Sequence, residues 1–209
     1  MPGMTWAEPS QLDRLLDAVL VVVADKGYPA ATVGDVVGLA AVSKRTFYQH
    51  FDGKESCFVA AHDRAVARVR ARLRAAVAPL PADDWSGRVR LAWQVFLGTL
   101  SVRHAVAWSL YVEGPRAGEA TARRGMAANL VFAEAFAELH RRARLRDPAI
   151  RRLPPDVFEL YVGGAVERIR RTLYTDGVRA LPQLVEPLVQ TALIFFEPAP
   201  VPGVDCLAG

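Results

Sequence analysis

Two cysteines, Cys57 and Cys206, are all that the 209 residues contain, and they lie far apart, the second among prolines and glycines. Such a count argues against a disulfide framework. Cys57 falls in the first turn of a predicted helix near Lys54, a place that can favour a thiolate, yet it reads first as a plain buried thiol. Long apolar runs are also missing. The longest near the start, Ala18 to Ala24, is far below the roughly 20 residues of a membrane-spanning helix, and no basic stretch with a cleavage site precedes it. The expectation is a cytoplasmic protein with neither signal peptide nor membrane span.

Catalytic and metal signatures are absent in the same way. There is no His-Glu-x-x-His, Gly-x-Gly-x-x-Gly, Gly-Lys-Ser/Thr or Cys-x-x-Cys, and the four histidines are scattered without metal-ligand spacing. Ser101, His104 and Glu113 could be assembled into a triad on paper, but a trio of that kind is found in most chains of this length. No metal or cofactor is expected, and the chain reads as a protein other than an enzyme. No stretch alternates apolar and polar residues, so the fold class expected is all-α.

What is present is a composition of 52% hydrophobic residues, enough for a substantial core, with a formal charge of +4 and a pI near 9.4. That charge suits a polyanionic partner and equally suits mere solubility. Leu12, Leu15, Leu16, Val19, Leu20, Val23 and Ala24 recur at helical spacing over 12–26, and Gly27 follows as a left-handed cap. Thr32 and Asp35 form a capping pattern for a short helix over 33–40. Ser43 caps another over 44–50, and Asp52 with Glu55 repeats the capping logic for a helix over 53–77, closed by Pro79 and Pro81. Further helices are predicted at about 86–102, 104–113, 116–145, 155–176 and 182–196. Pro187 predicts a kink in the last of these. The run Arg141 to Arg146 reads as a solvated helix end.

Two short capped helices separated by three residues have the spacing of a helix-turn-helix, in which the first helix braces the second for entry into the major groove. Val42, Phe47 and Phe51 would pin the second helix, leaving Lys44, Arg45, Thr46, Tyr48 and Gln49 outward. Lys and Arg attract phosphates, Arg and Gln can pair with base edges, and the hydroxyls suit phosphate oxygens. The competing reading is a short solvated helix on two ordinary aromatic anchors.

The stretch "DKGYPAATVGDVVGLAAVSKRTFYQHFDGKE", and above all "SKRTFYQHF" followed by Lys54-Glu55, resembles the DNA-binding domain of the TetR (tetracycline repressor) family over residues 12–54. The resemblance implies that Tyr48, His50 and Lys54 contact phosphates. It makes Lys44, Arg45, Thr46 and Gln49 the candidates for reading bases, and Thr32 the cap of the second helix and a backbone contact. His50 can equally be a partly buried neighbour of the hinge. Two departures stand out: Ala41 occupies the turn where the family usually has glycine, and Gly34 and Gly38 lie inside the second helix.

The domain organisation expected is therefore a helix-turn-helix domain over 1–52, a helical ligand-binding and dimerisation domain over 53–196, and a proline-rich tail over 197–209. The helix over 155–176 carries apolar residues on two sides, as does the last one, which suggests pairing with a second copy through 155–196. TetR-like dimers use their last two long helices in this way. Between the ends lies an aromatic-rich segment. Trp93, Phe96, Trp108, Tyr111, Phe132, Phe136 and Tyr161 are either core or the lining of a cavity, with His104, Glu113 or Glu167 as polar anchors. The resemblance favours the cavity. It implies a regulator, by default a repressor, that binds double-stranded operator DNA as a homodimer and is released by a small apolar or aromatic effector. The alternative is a helical dimer that binds small molecules or proteins and keeps a vestigial DNA module.

Overall fold

The computed structural model describes residues 9–197, so the predicted tail beyond Glu197, Cys206 included, lies outside the described residues. Nine α-helices are described: α1 Gln11–Lys26, α2 Val33–Ala40, α3 Lys44–His50, α4 Lys54–Val77, α5 Trp85–Ser101, α6 His104–Trp108, α7 Glu119–Arg146, α8 Pro155–Thr175 and α9 Val185–Ile194. No strand occurs among the described residues, as the missing alternation required. No single helix among them is long and apolar enough to cross a membrane.

The first core joins α1, α2 and α3 to the beginning of α4. Leu15, Val19, Val23, Val36, Phe47 and Phe58 have no solvent exposure, and Cys57 and Ala61 of α4 are equally enclosed. Burial pushes the Cys57 thiol up to about 12, so it is an inert core residue rather than an activated thiolate. Ala117, beyond α6, packs into this same core. Two further clusters fill the space between α4, α5, α7, α8 and α9, around Leu97, Leu100 and Ile169 on one side and Phe158, Tyr161 and Val189 on the other.

Three local readings are corrected. The cap of α4 is Gly53 rather than Asp52: Ser56 supplies the return contact, its Oγ accepting the Gly53 N–H at 3.3 Å. Pro187 does not kink a helix. The chain over 178–184 winds as a 3-10 helix, so α9 begins at Val185 and places Pro187 in its first turn, where the missing N–H has no intrahelical acceptor to lose. The predicted helix over 104–113 is α only to Trp108; Ser109–Glu113 continues as a π-helical turn, followed by a 3-10 turn, Gly114–Arg116.

α8 buries most of what the sequence left for a partner. Phe158, Tyr161, Val162, Ala165, Ile169 and Leu173 are all enclosed within the chain. What remains outward is Leu160, 75% exposed, with Gly163 and Gly164, on which an added Cβ would meet open space.

Candidate nucleic-acid interface and internal cavity

The second helix of the pair is held by local chemistry and by burial. Ser43 caps it, its Oγ accepting the Thr46 N–H at 3.0 Å, and Phe47 is wholly enclosed while Phe51 closes the far end. Lys44, Arg45, Tyr48, Gln49 and His50 all face solvent, Tyr48 with 59% exposure. Thr46 is half-buried, and its hydroxyl lies 2.9 Å from that of Ser43, tied to the cap.

α2 is braced just as tightly. Thr32 and Asp35 complete a capping box, and Lys26 donates to Asp35 at 2.6 Å. The Lys26 and Thr32 hydrogen bonds hold the Asp35 carboxyl at about 2. Arg14 of α1 donates to the Ala40 carbonyl at 3.0 Å, fixing the other end. Ala41 then adopts φ 51° and ψ 50°, the one non-glycine residue with positive φ among the described residues. Its left-handed turn lets the Val42 N–H return to the Val37 carbonyl at 3.1 Å.

Lys54 departs from the expectation of a cation reaching outward. Its ammonium donates to the carbonyls of Tyr28 at 2.7 Å and Ala31 at 2.8 Å, and sits 4.4 Å from the centre of the Tyr28 ring. It closes the turn that leads into α2.

A cavity of about 720 Å³ lies between α4, α5, α7, α8 and the π-turn. Six of the ten residues expected around a ligand line it: Trp93, Phe96, Tyr111, Phe132, Phe136 and Tyr161. Tyr161 is locked in place, accepting from Trp93 Nε1 at 2.8 Å and donating to the Leu188 carbonyl at 2.7 Å. The Tyr111 hydroxyl makes no hydrogen bond to any described residue, and enclosure raises its pKa above the ordinary tyrosine value.

The other four expected residues are elsewhere. Glu167 is exposed and paired with Arg170. Trp108 packs edge-on against Tyr174, and His104 borders a separate surface hollow with Ser101 and Arg179. Glu113 is buried and accepts the Tyr28 backbone N–H at 2.8 Å, while the Ser101 hydroxyl donates to the Gly98 carbonyl, so the paper triad is not assembled.

Sequence reading also missed four cations. Arg70, Arg74, Arg88 and Arg142 line the cavity together with Glu134 and Glu138. Arg142 shares Glu138 with Arg141, and the two guanidiniums hold that carboxyl at about 2. Arg88 donates to the carbonyls of Leu80 and Pro81. That leaves Arg70 and Arg74, exposed and one turn apart on α4, with no partner among the described residues. Their four-residue spacing is the only sequence signal that could have paired them.

Residues 15–61 match the family model described as "Bacterial regulatory proteins, tetR family". Comparison with curated proteins finds no match. Among solved structures, the fatty acid degradation regulator FadR from Bacillus halodurans is similar, with TM-score 0.80 and 19% identity over 90% of this chain and 96% of that one. FadR from Bacillus subtilis, solved in complex with stearoyl-CoA, gives TM-score 0.77 and 14% identity over 87% and 97%. AibR, solved with isovaleryl coenzyme A and operator DNA, gives 0.66 and 18% over 91% and 100%.

Proposed function

With a TetR-family DNA-binding end over residues 15–61 and the fold of TetR-like regulators throughout, this chain is one for which we propose the role of a cytoplasmic, ligand-responsive repressor. It binds an inverted-repeat operator as a homodimer. One observation carries the reading: α3 turns Lys44, Arg45, Tyr48, Gln49 and His50 to solvent together, over a base fixed by the enclosed Phe47. In this reading the helix braced by α2 enters a major groove, with Lys44, Arg45 and Gln49 as the candidates for base edges and Tyr48 and His50 as the phosphate contacts. We assign DNA binding to the described part of 1–52, whose core is closed by the first turns of α4, and effector and second-copy binding to 53–196. The partner packs on the outward stripe of α8, where Leu160 is uncovered and Gly163 and Gly164 admit close approach.

The effector we infer is an amphiphilic anion, an acyl thioester of coenzyme A. The cavity supports this with an apolar floor of Phe96, Tyr161, Val162 and Ile169 below a rim that carries Arg70 and Arg74. Two structural relatives were solved with such thioesters. The response runs through α4. Its first half is fastened to α1 by Arg64, which reaches both Asp13 and Asp17, and its second half forms cavity wall at Arg70, Leu73, Arg74 and Val77. An effector that binds better to one arrangement of α4 shifts the population toward it.

The test is a salt-controlled titration of the protein against DNA flanking its own gene and against scrambled DNA. Native DNA should bind about a thousandfold or more tighter than scrambled. Arg45→Ala should erase that preference, and Tyr48→Phe should weaken affinity without changing it. Half a helical turn inserted between the half-sites should cost most of the affinity, since the two reading helices sit about 34–36 Å apart. Equal binding to all these DNAs would sink the proposal, and an operator affinity unmoved by saturating acyl-CoA would remove its effector.

A further inference from the structure

The turn that walls the cavity at Tyr111 also holds the DNA-binding end of the chain. Ser109–Glu113 is π-helical, an i→i+5 insertion between α6 and the 3-10 turn. Tyr111, at its middle, faces the cavity. The residues two positions to either side reach toward α1. Ser109, fully enclosed, donates from Oγ to the Leu20 carbonyl at 2.7 Å. Glu113, 8% exposed, accepts the Tyr28 N–H at 2.8 Å. Tyr28 belongs to the turn that Lys54 clamps from its other side, and that turn runs through buried Ala31 into Thr32, the N-cap of α2.

Burying a carboxylate and a hydroxyl against backbone groups is costly unless the bonds are made, so these two contacts are sensitive to small shifts. A π-turn is suited to deliver one. Its return to α register rotates the residues on one side by roughly 100°, after which Ser109 and Glu113 cannot both reach α1 and the Tyr28 turn. We propose that Ser109 and Glu113 are the positioning residues through which cavity occupancy reaches the helix-turn-helix. A molecule pressing on Tyr111 moves the π-turn, Glu113 releases the Tyr28 N–H, and the turn before Thr32 carries α2 and α3 away from their DNA-reading position. This rests on the regulator reading above and adds to α4 a second route.

The test uses the full chain, stearoyl-CoA as probe and a fluorescent operator. Saturating probe should lower native operator affinity by about tenfold or more, but by no more than about twofold in Ser109→Ala/Glu113→Ala, with probe affinity kept. Glu113→Gln, which retains an oxygen for the Tyr28 N–H, should restore most of the release. Native release in the double variant, with probe still bound, overturns the proposal. If the double variant does not fold, Ser109→Ala alone should release only in part, and a native value overturns it there.

If stearoyl-CoA fails to act on the native protein, the effector reading fails, and a probe-free arm decides this one. Tyr111→Trp, overfilling the cavity wall, should weaken operator binding about fivefold or more in the native background and leave it unchanged beside Ser109→Ala/Glu113→Ala. An equal effect in both backgrounds, or none in the native one, overturns the relay.

Discussion

At position 41 an alanine stands where the backbone turns left-handed, φ 51°. A Cβ in that region is crowded by the following carbonyl, at a cost of roughly 1–2 kcal/mol that glycine escapes. Part of the gain from Ala41→Gly is lost to the greater freedom of glycine in the unfolded chain, so about 1 kcal/mol of added stability is expected. Urea unfolding should show a higher midpoint at an unchanged slope; an unmoved or lower midpoint would mean that the turn carries no such strain. The outward residues of α3 were legible in the sequence because Phe47 and Phe51 fix the buried side, and the rest follows from helical geometry. Lys54 and Glu113 were not legible. Their acceptor and donor groups are backbone atoms of the Tyr28 turn, for Glu113 a separation of 85 residues, and no local pattern announces such a contact.

The helices themselves were readable where their ends are set by neighbours in sequence. Thr32 with Asp35 and Ser43 with Thr46 fix α2 and α3 at the bounds that their caps predict. The π-turn escaped because an i→i+5 register is chosen by what its side chains reach, here α1 and the cavity, rather than by propensity. The same limit hid the effector side of α4, whose Arg70 and Arg74 stay exposed and border the cavity only because the fold brings α7 and α8 to the same hollow. Their placement makes a prediction at the scale of the helix. Arg70→Ala/Arg74→Ala should lower acyl-CoA affinity about tenfold or more, through loss of charge-assisted contacts to the anionic end. Calorimetry at low and high salt should show native affinity falling with salt and the variant nearly insensitive. Operator binding without effector should be preserved, because the α1 contacts of α4 run through Arg64. Unchanged affinity in the variant would place the anionic end elsewhere.

Over the whole molecule, α7 is the longest helix, and a buried histidine stands at each of its ends. His62 of α4 is 5% exposed, its Nδ1 making no hydrogen bond and lying 3.8 Å from an Asp63 carboxylate oxygen, beside the Asp63–Arg124 ion pair that ties α4 to the start of α7. His140 of α7 is 3% exposed, packed against Phe158 and Phe196, its Nε2 3.0 Å from the Phe195 carbonyl. Burial is the main cause that lowers both pKa values, opposed by Asp63 at His62 and by the Phe195 carbonyl at His140. Burial therefore favours the neutral form of both rings in the fold. Below the unfolded value of about 6.5 the unfolded chain takes up protons that the folded chain resists, so stability present above that pH is lost as pH falls beneath it. The depressed carboxylates act in a separate window: Asp35, Glu138 and Glu186 of α9, the last bonded by Arg90 and Gln190, are each held at about 2 and give up their contribution only as pH falls from about 4 toward 2. The melting temperature should accordingly decline between about pH 6.5 and 5, before any carboxylate titrates. His62→Leu, which also removes a buried nitrogen that makes no hydrogen bond, should flatten part of that decline, and His140→Gln another part. Because α7 contributes the cavity wall from Asn129 to Arg142, acyl-CoA affinity should weaken over the same range, which calorimetry at pH 7 and pH 5.5 would register. A melting temperature level from pH 7 to 5 would mean that the two rings take up protons without leaving their places, and that α7 is held by its apolar contacts alone.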